Sequence, residues 1–134
     1  MIQNVSKYWK NYANLRFDMS IYFFPANPLI FLPNCKHTYD GCVSLYPTSR
    51  EIILLIEPLL KPGARIIETT LTGDNLLTLM NQFPIGSTII DPQGSAQLAN
   101  VCRDLRLNYH GIIHNLEHMI SEQDKHRQYC QKGN

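Results

Sequence analysis

From Cys42 onward, apolar and polar positions follow two alternating periods. Cys42–Tyr46, Ala64–Leu71 and Ser87–Ile90 are short runs with few charges and many branched side chains. Runs of that length and composition predict strands. Between them the spacing changes to that of a helix. Ile52, Ile53, Ile56, Leu59 and Leu60 fall on one helical face, as do Leu76, Leu77, Met80 and Phe83. Thr48-Ser49-Arg50-Glu51 has the spacing of a capping box, with the Thr48 hydroxyl serving the Glu51 amide. Pro58 should kink the last turn of the helix it opens, and Pro62-Gly63 should stop it. Thr72 or Asp74 caps the second helix and Pro84 ends it. Asp91-Pro92 then offers an N-cap and a proline at the first helical position, opening a helix through Leu98, Val101, Cys102 and Leu105. After Asn108 the spacing predicts a last helix from Tyr109 to Gln128, its apolar face formed by Tyr109, Ile112, Ile113, Leu116 and Ile120.

The first third follows other rules. Val5, Tyr8, Trp9 and Tyr12 sit at i, i+3, i+4 and i+7, which predicts a short opening helix. Ser20–Pro25 and Pro28–Pro33 are aromatic and proline-bounded. Proline cannot donate to a ladder, so these segments belong at a sheet edge or in an irregular arm. Strands alternating with helices of this length imply parallel pairing through right-handed crossovers. The expected fold is therefore a single small α/β domain with a mostly parallel sheet, ordered β-α-β-α-β-α-α over residues 41–128. An aromatic arm precedes it over 1–40, and a flexible tail follows over 129–134. The 134 residues leave room for one domain.

Composition narrows the function classes. The chain is 44% hydrophobic and 17% charged with a net charge of +1, which excludes an intrinsically disordered chain and gives nucleic acid no bulk field to follow. The most apolar stretch, Met19–Pro33, is interrupted by Pro25, Pro28 and Pro33 and falls short of the roughly 20 residues a bilayer crossing needs. No membrane span is expected. The opening residues lack the apolar run of a secretory leader, so the four cysteines read as reduced thiols and the expected location is cytoplasmic.

Three constellations are candidates for chemistry. His110, His114 and His118 are spaced i, i+4, i+8, a stripe on the predicted last helix facing away from its apolar side. No acidic residue occupies the position that an HExxH zinc site requires. The stripe is expected to be a polar face, with partner contact and a metal or proton switch as its functional alternatives. Cys35, His37 and Cys42 lie within eight residues and could supply three zinc ligands, although the tight paired knuckles of structural sites are missing. Without zinc, the same residues form a polar loop leading a small core residue into a strand. Neither a G-x-S-x-G elbow nor a glycine-rich phosphate loop occurs, and no catalytic residue is assigned.

The third constellation follows from topology. If the three strands are parallel, Thr48, Ser49, Arg50, Thr72, Asp74, Asn75, Asp91, Gln93 and Ser95 gather along the carboxyl edge of the sheet, where α/β proteins bind ligands. Helix capping already accounts for Thr48, Asp74 and Asp91. Leu59–Ile66 resembles the turn before a late strand of class I methyltransferases, but the 58 residues before it contain one glycine, Gly41, and no cofactor loop. Thr88–Ser95 is similar to the strand-to-helix junction of STAS domains, with Pro92 where the phospho-acceptor serine would stand. Neither resemblance assigns a family.

Eight of the thirteen aromatic residues fall in the first 33 positions. Aromatic side chains are enriched at protein interfaces. The sequence thus favours a non-catalytic protein-binding module without a cofactor. It would dock on another protein, or on a second copy of itself, through Tyr8, Trp9 and Tyr12 or through His110, His114 and His118. The alternatives are a small enzyme or ligand-binding domain using the strand-end loops, with Arg50 fixing an anion and Asp74 or Asp91 as a candidate base, and a zinc protein.

Overall fold

The computed structural model describes residues 3–4, 19–23, 38–113 and 117–125 except 119 and 123. The expected opening helix from Val5 to Tyr12 and the segment Pro28–Pro33 lie outside them. The elements run β1 (Gln3–Asn4), β2 (Met19–Phe23), β3 (Tyr39–Ser44), α1 (Arg50–Ile56), β4 (Leu60–Glu68), α2 (Gly73–Met80), β5 (Thr88–Asp91), α3 (Ala96–Asp104) and β6 (Asn108–Ile113). Among the described residues, six strands form one sheet in the order β1-β2-β6-β5-β3-β4. Every neighbouring pair is parallel except β1 with β2. The α/β fold with a mostly parallel sheet, expected from the alternating periods, is present.

The winding reverses once. From β3 the chain moves outward to β4, then returns past β3 to lay β5 and β6 on its other side. Right-handed crossovers in opposite directions place helices on opposite faces. The core divides accordingly. Val43, Leu45, Ile89 and Tyr109 pack with Leu76 and Met80 of α2 and Leu98, Val101 and Cys102 of α3. Cys42, Ile90 and Ile112 pack with Ile52 and Ile56 of α1, together with Tyr39 and Leu59. Successive strand residues thus feed different layers, which is the period-two rule operating in a sheet covered on both sides.

Several local expectations are corrected. The residues from Tyr109 to Ile113 form a strand where a helix was expected. Helix α3 ends at Asp104, Arg106 takes a left-handed φ of 60°, and the Leu107 amide donates to the Cys102 carbonyl. That closing turn sends the chain back along the sheet beside β5, with Ile89 opposite Tyr109 and Asp91 opposite Gly111. The later half of the expected helix does exist: Glu117, His118, Ile120, Ser121, Glu122, Asp124 and Lys125 are helical.

Helix α1 stops at Ile56, and a 3-10 turn over Glu57–Leu59 takes Pro58 into its start. The next strand begins at Leu60, before the predicted Ala64. Tyr39 pairs with Leu60 and Gly41 with Arg65, so β4 holds four residues against one on β3. Pro62 and Gly63 are tolerated inside β4 because this strand lies at the edge, where a missing donor and a bulge disturb only one neighbour. No helix among the described residues is long and apolar enough to cross a membrane.

Candidate functional site

The carboxyl ends of β3, β4, β5 and β6 share one edge of the sheet, and the loops that follow them differ in character. At the end of β3, Ser44 is buried at 1% exposure and organises the turn that follows. Its Oγ donates to the Tyr46 carbonyl at 2.5 Å. It also accepts from the Tyr46 amide at 3.4 Å and from Thr48 Oγ1 at 3.1 Å. The Thr69 amide, just beyond β4, donates to the Ser44 carbonyl at 2.9 Å, and Thr69 Oγ1 accepts from the Leu71 amide. One buried serine therefore holds the post-β3 turn and ties it to the post-β4 loop. Among the side chains presented outward are two large apolar ones, Tyr46 at 60% and Leu71 at 39% exposure.

After β5 the edge is closed. Asp91 is fully buried and both of its oxygens are occupied. Oδ1 accepts from the Gln93 amide at 3.0 Å, and Oδ2 accepts from the Ser95 amide and the Tyr109 hydroxyl, each at 2.8 Å. Gly94, at a φ of 46°, completes the turn, with its amide on the Asp91 carbonyl. Tyr109 reaches Asp91 because Gly111, two residues along β6 and on the same face, has no side chain. A Cβ at position 111 would stand 2.5 Å from the Tyr109 hydroxyl oxygen and 2.7 Å from its ring. Burial pushes the Asp91 carboxyl up to about 6, helped by the nearby charge of Glu122 and opposed by the Ser95 and Gln93 amides and the Tyr109 hydroxyl. The last helix covers this turn: Glu122 Oε2 accepts from the Ala96 amide at 3.4 Å, and His118 Nε2 donates to the Gly94 carbonyl at 3.0 Å.

The nine residues predicted for a strand-end site all end or follow β3, β4 or β5 at the carboxyl edge, but they do not share one environment. Thr48 supports Ser44, and the residue that caps α1 is Ser49, whose Oγ accepts from the Ile52 amide. Arg50 is exposed in the first turn of α1, which covers one face of the sheet. Thr72 is the N-cap of α2 without a side-chain bond, and Asp74 and Asn75 are exposed on that helix, on the other face. Asp91 ends β5 as an internal hydrogen-bond acceptor and does not cap α3, and Pro92 precedes that helix. The cap is Ser95, buried at 5% exposure. Gln93 is half-buried.

The histidine stripe does not survive as one helical face. His110 lies on β6, where its Nδ1 is hydrogen-bonded to the Tyr39 hydroxyl at 2.8 Å and its ring meets Tyr39 edge-on. His118 lies on the last helix, and His114 falls outside the described residues. So do Tyr8, Trp9, Tyr12, Cys35 and His37. Cys42 is buried in the sheet, its thiol pushed up to about 12 by burial and by the charges of Asp91 and Glu68. Among the described residues no group of three His, Cys, Asp or Glu side chains is placed to hold a metal ion.

Sequence reading missed Ser44, Tyr46, Tyr109 and Glu122. Tyr46-Pro47 directly after a strand was a signal for an exposed turn aromatic. The meeting of Tyr109 with Asp91 became visible only with β6 in place. No protein-family model matches the chain, and comparison with curated proteins and with solved structures gives no significant match.

Proposed function

We propose that this protein is a recognition module that docks on another protein through the carboxyl edge of its sheet over β3 and β4. The observation supporting this reading is Tyr46: a large aromatic side chain held outward, 60% exposed, on a turn fixed from below by a buried serine. Hot spots of protein interfaces are rich in tyrosine, and a pre-ordered loop loses little conformational freedom on binding. Leu71 extends the apolar contact on the neighbouring loop, while Thr48, Ser49 and Arg50 supply the polar margin that surrounds such anchors. Docking through the aromatic arm at Tyr8, Trp9 and Tyr12 rests on the composition of that segment alone.

A photoreactive amino acid at position 46, introduced in the native cell, is the test. A defined protein adduct is expected from position 46. The control position 85 carries Ile85, also exposed at 71% but ahead of β5 at the opposite edge, and it should not yield that adduct. Tyr46→Ala should then weaken binding of the identified partner by about tenfold or more, with the thermal midpoint unchanged. Adducts that are the same from both positions would overturn the reading.

A second reading takes its support from the reversal of the winding between β3 and β5. That is where open parallel sheets leave a crevice for small ligands. Arg50 would then fix an anionic group. A thermal-shift screen with phosphates, sugar phosphates and nucleotides separates the two readings. Stabilisation that disappears in Arg50→Ala favours the ligand site, and no stabilisation in wild type removes it.

A further inference from the structure

Asp91 and Glu122 arrive at the same turn from opposite directions. Asp91 belongs to the strand that leads into it, and Glu122 to the helix that lies over it. They accept from consecutive amides: Asp91 Oδ2 from Ser95 and Glu122 Oε2 from Ala96. Both carboxylates are buried, Asp91 completely and Glu122 to 7% exposure. Two carboxylates on neighbouring N–H groups repel when both are ionised, and little water is available to screen them. Tyr109 of β6 already spends its hydroxyl on Asp91.

Among the described residues, the other titratable groups near enough to feel the Asp91 charge are the thiols of Cys102 on α3, in the same layer, and of Cys42 on β3, in the opposite layer, both held protonated by burial first and by Asp91 second. On the last helix, Lys125 pairs with Glu122 at 3.4 Å, from a side chain that is 58% exposed. His118 bonds the Gly94 carbonyl.

We propose that the helix carrying His118 and Glu122 is a proton-sensitive latch on the turn after β5. Beside the Glu122 carboxylate, ionising Asp91 loosens the helix and discharging Asp91 tightens it. The carboxyl of Asp91, raised to about 6, places the changeover in a mildly acidic range. The latch concerns the helix and the turn alone, so it stands or falls separately from docking at Tyr46.

Hydrogen–deuterium exchange of the full chain at about pH 5 and about pH 7.5, corrected for the intrinsic exchange rate, reads the latch directly. In wild type, protection of residues 117–125 should be about fivefold or more greater at the lower pH. In Asp91→Asn the difference should vanish, with protection at both values close to that of wild type at pH 5. Glu122→Gln removes the other charge and should reduce the pH dependence of this segment to that of the β3 and β5 amides, which follow the burial of Asp91 alone, so the test survives a poorly folded Asp91 variant. Equal protection of wild type at both values, or a pH dependence of residues 117–125 that still exceeds that of β3 and β5 in Glu122→Gln, would overturn the latch.

Discussion

Gly111→Ala should be among the most damaging single-methyl changes in this protein, lowering folding stability by about 3 kcal/mol in urea denaturation. The added Cβ would meet the Tyr109 hydroxyl at 2.5 Å and two ring atoms at 2.7 and 2.8 Å. Relief by a backbone shift is costly, because β6 lies inside the sheet with β5 on one side and β2 on the other. Relief by rotating Tyr109 breaks its bond to the buried Asp91 and leaves that carboxylate short of a donor. Hydrogen bonds to charged groups contribute roughly 1.5–3 kcal/mol, and overpacking typically costs about 1–3 kcal/mol. Tyr109→Phe removes only the hydroxyl, the closest of the three atoms. Gly111→Ala should therefore cost less in that background than in wild type, a non-additivity expected of residues in contact. Equal cost in both backgrounds would mean that the tyrosine hydroxyl takes no part in the clash, neither by its contact with position 111 nor by its bond to Asp91.

Wild-type stability should also fall, relative to Asp91→Asn, as pH rises from about 4 to about 7. Asp91 has a folded value of about 6 against 3.8 for an unburied carboxyl. The folded state therefore binds the proton more tightly than the unfolded chain. Its contribution is fully present below 3.8 and is lost as pH rises through 6. A shift of that size corresponds to about 3 kcal/mol over the interval. Asp40 works in the opposite sense. Its partial burial pushes the carboxyl up, but the Thr88 amide and Lys61 outweigh this and hold it below 3.8. Asp40 therefore adds stability above its unfolded value and loses it only in stronger acid. Asp91→Asn removes that carboxyl and keeps Glu122 and His118 at the turn, so subtracting its profile from that of wild type isolates the buried carboxyl. A difference profile that stays flat between pH 4 and 7 would show that Asp91 is not buried as described.

The sequence made the alternation of strands and helices readable, because each helix carries an apolar face and each strand a short branched run. Ile52 and Ile56, or Leu76 and Met80, repeat at helical spacing and pack as that spacing implies. The parallel direction followed from crossover length, and with it the gathering of the strand-end loops at one edge. Strand β6 was hidden for a physical reason. Tyr109, Ile112, Ile113 and Leu116 fit a helical face, and a short apolar run looks the same to either period. Gly111 in its midst was the contrary sign, since glycine weakens a helix interior and often marks a close approach in a strand.

The helix starts were misplaced by one to four residues because several residues in each loop can cap. Ser49 and Ser95 serve where Thr48 and Asp91 were expected, and the displaced pair turn inward, Thr48 to Ser44 and Asp91 to Tyr109. The candidate site was legible only in part for the same reason. The sequence shows which residues reach the edge, whereas burial decides that Asp91 and Ser95 are spent inside and that Tyr46 is presented outside.

Nuclear Overhauser contacts in the Tyr109–Ile112 stretch test the central claim most directly. The parallel sheet requires cross-strand backbone contacts from Ile89, Ile90 and Asp91 to Tyr109, His110 and Gly111 in the register of β5 against β6. A ladder of i, i+3 contacts through Tyr109–Ile112, with none reaching β5, would contradict it and would remove Tyr109 from Asp91.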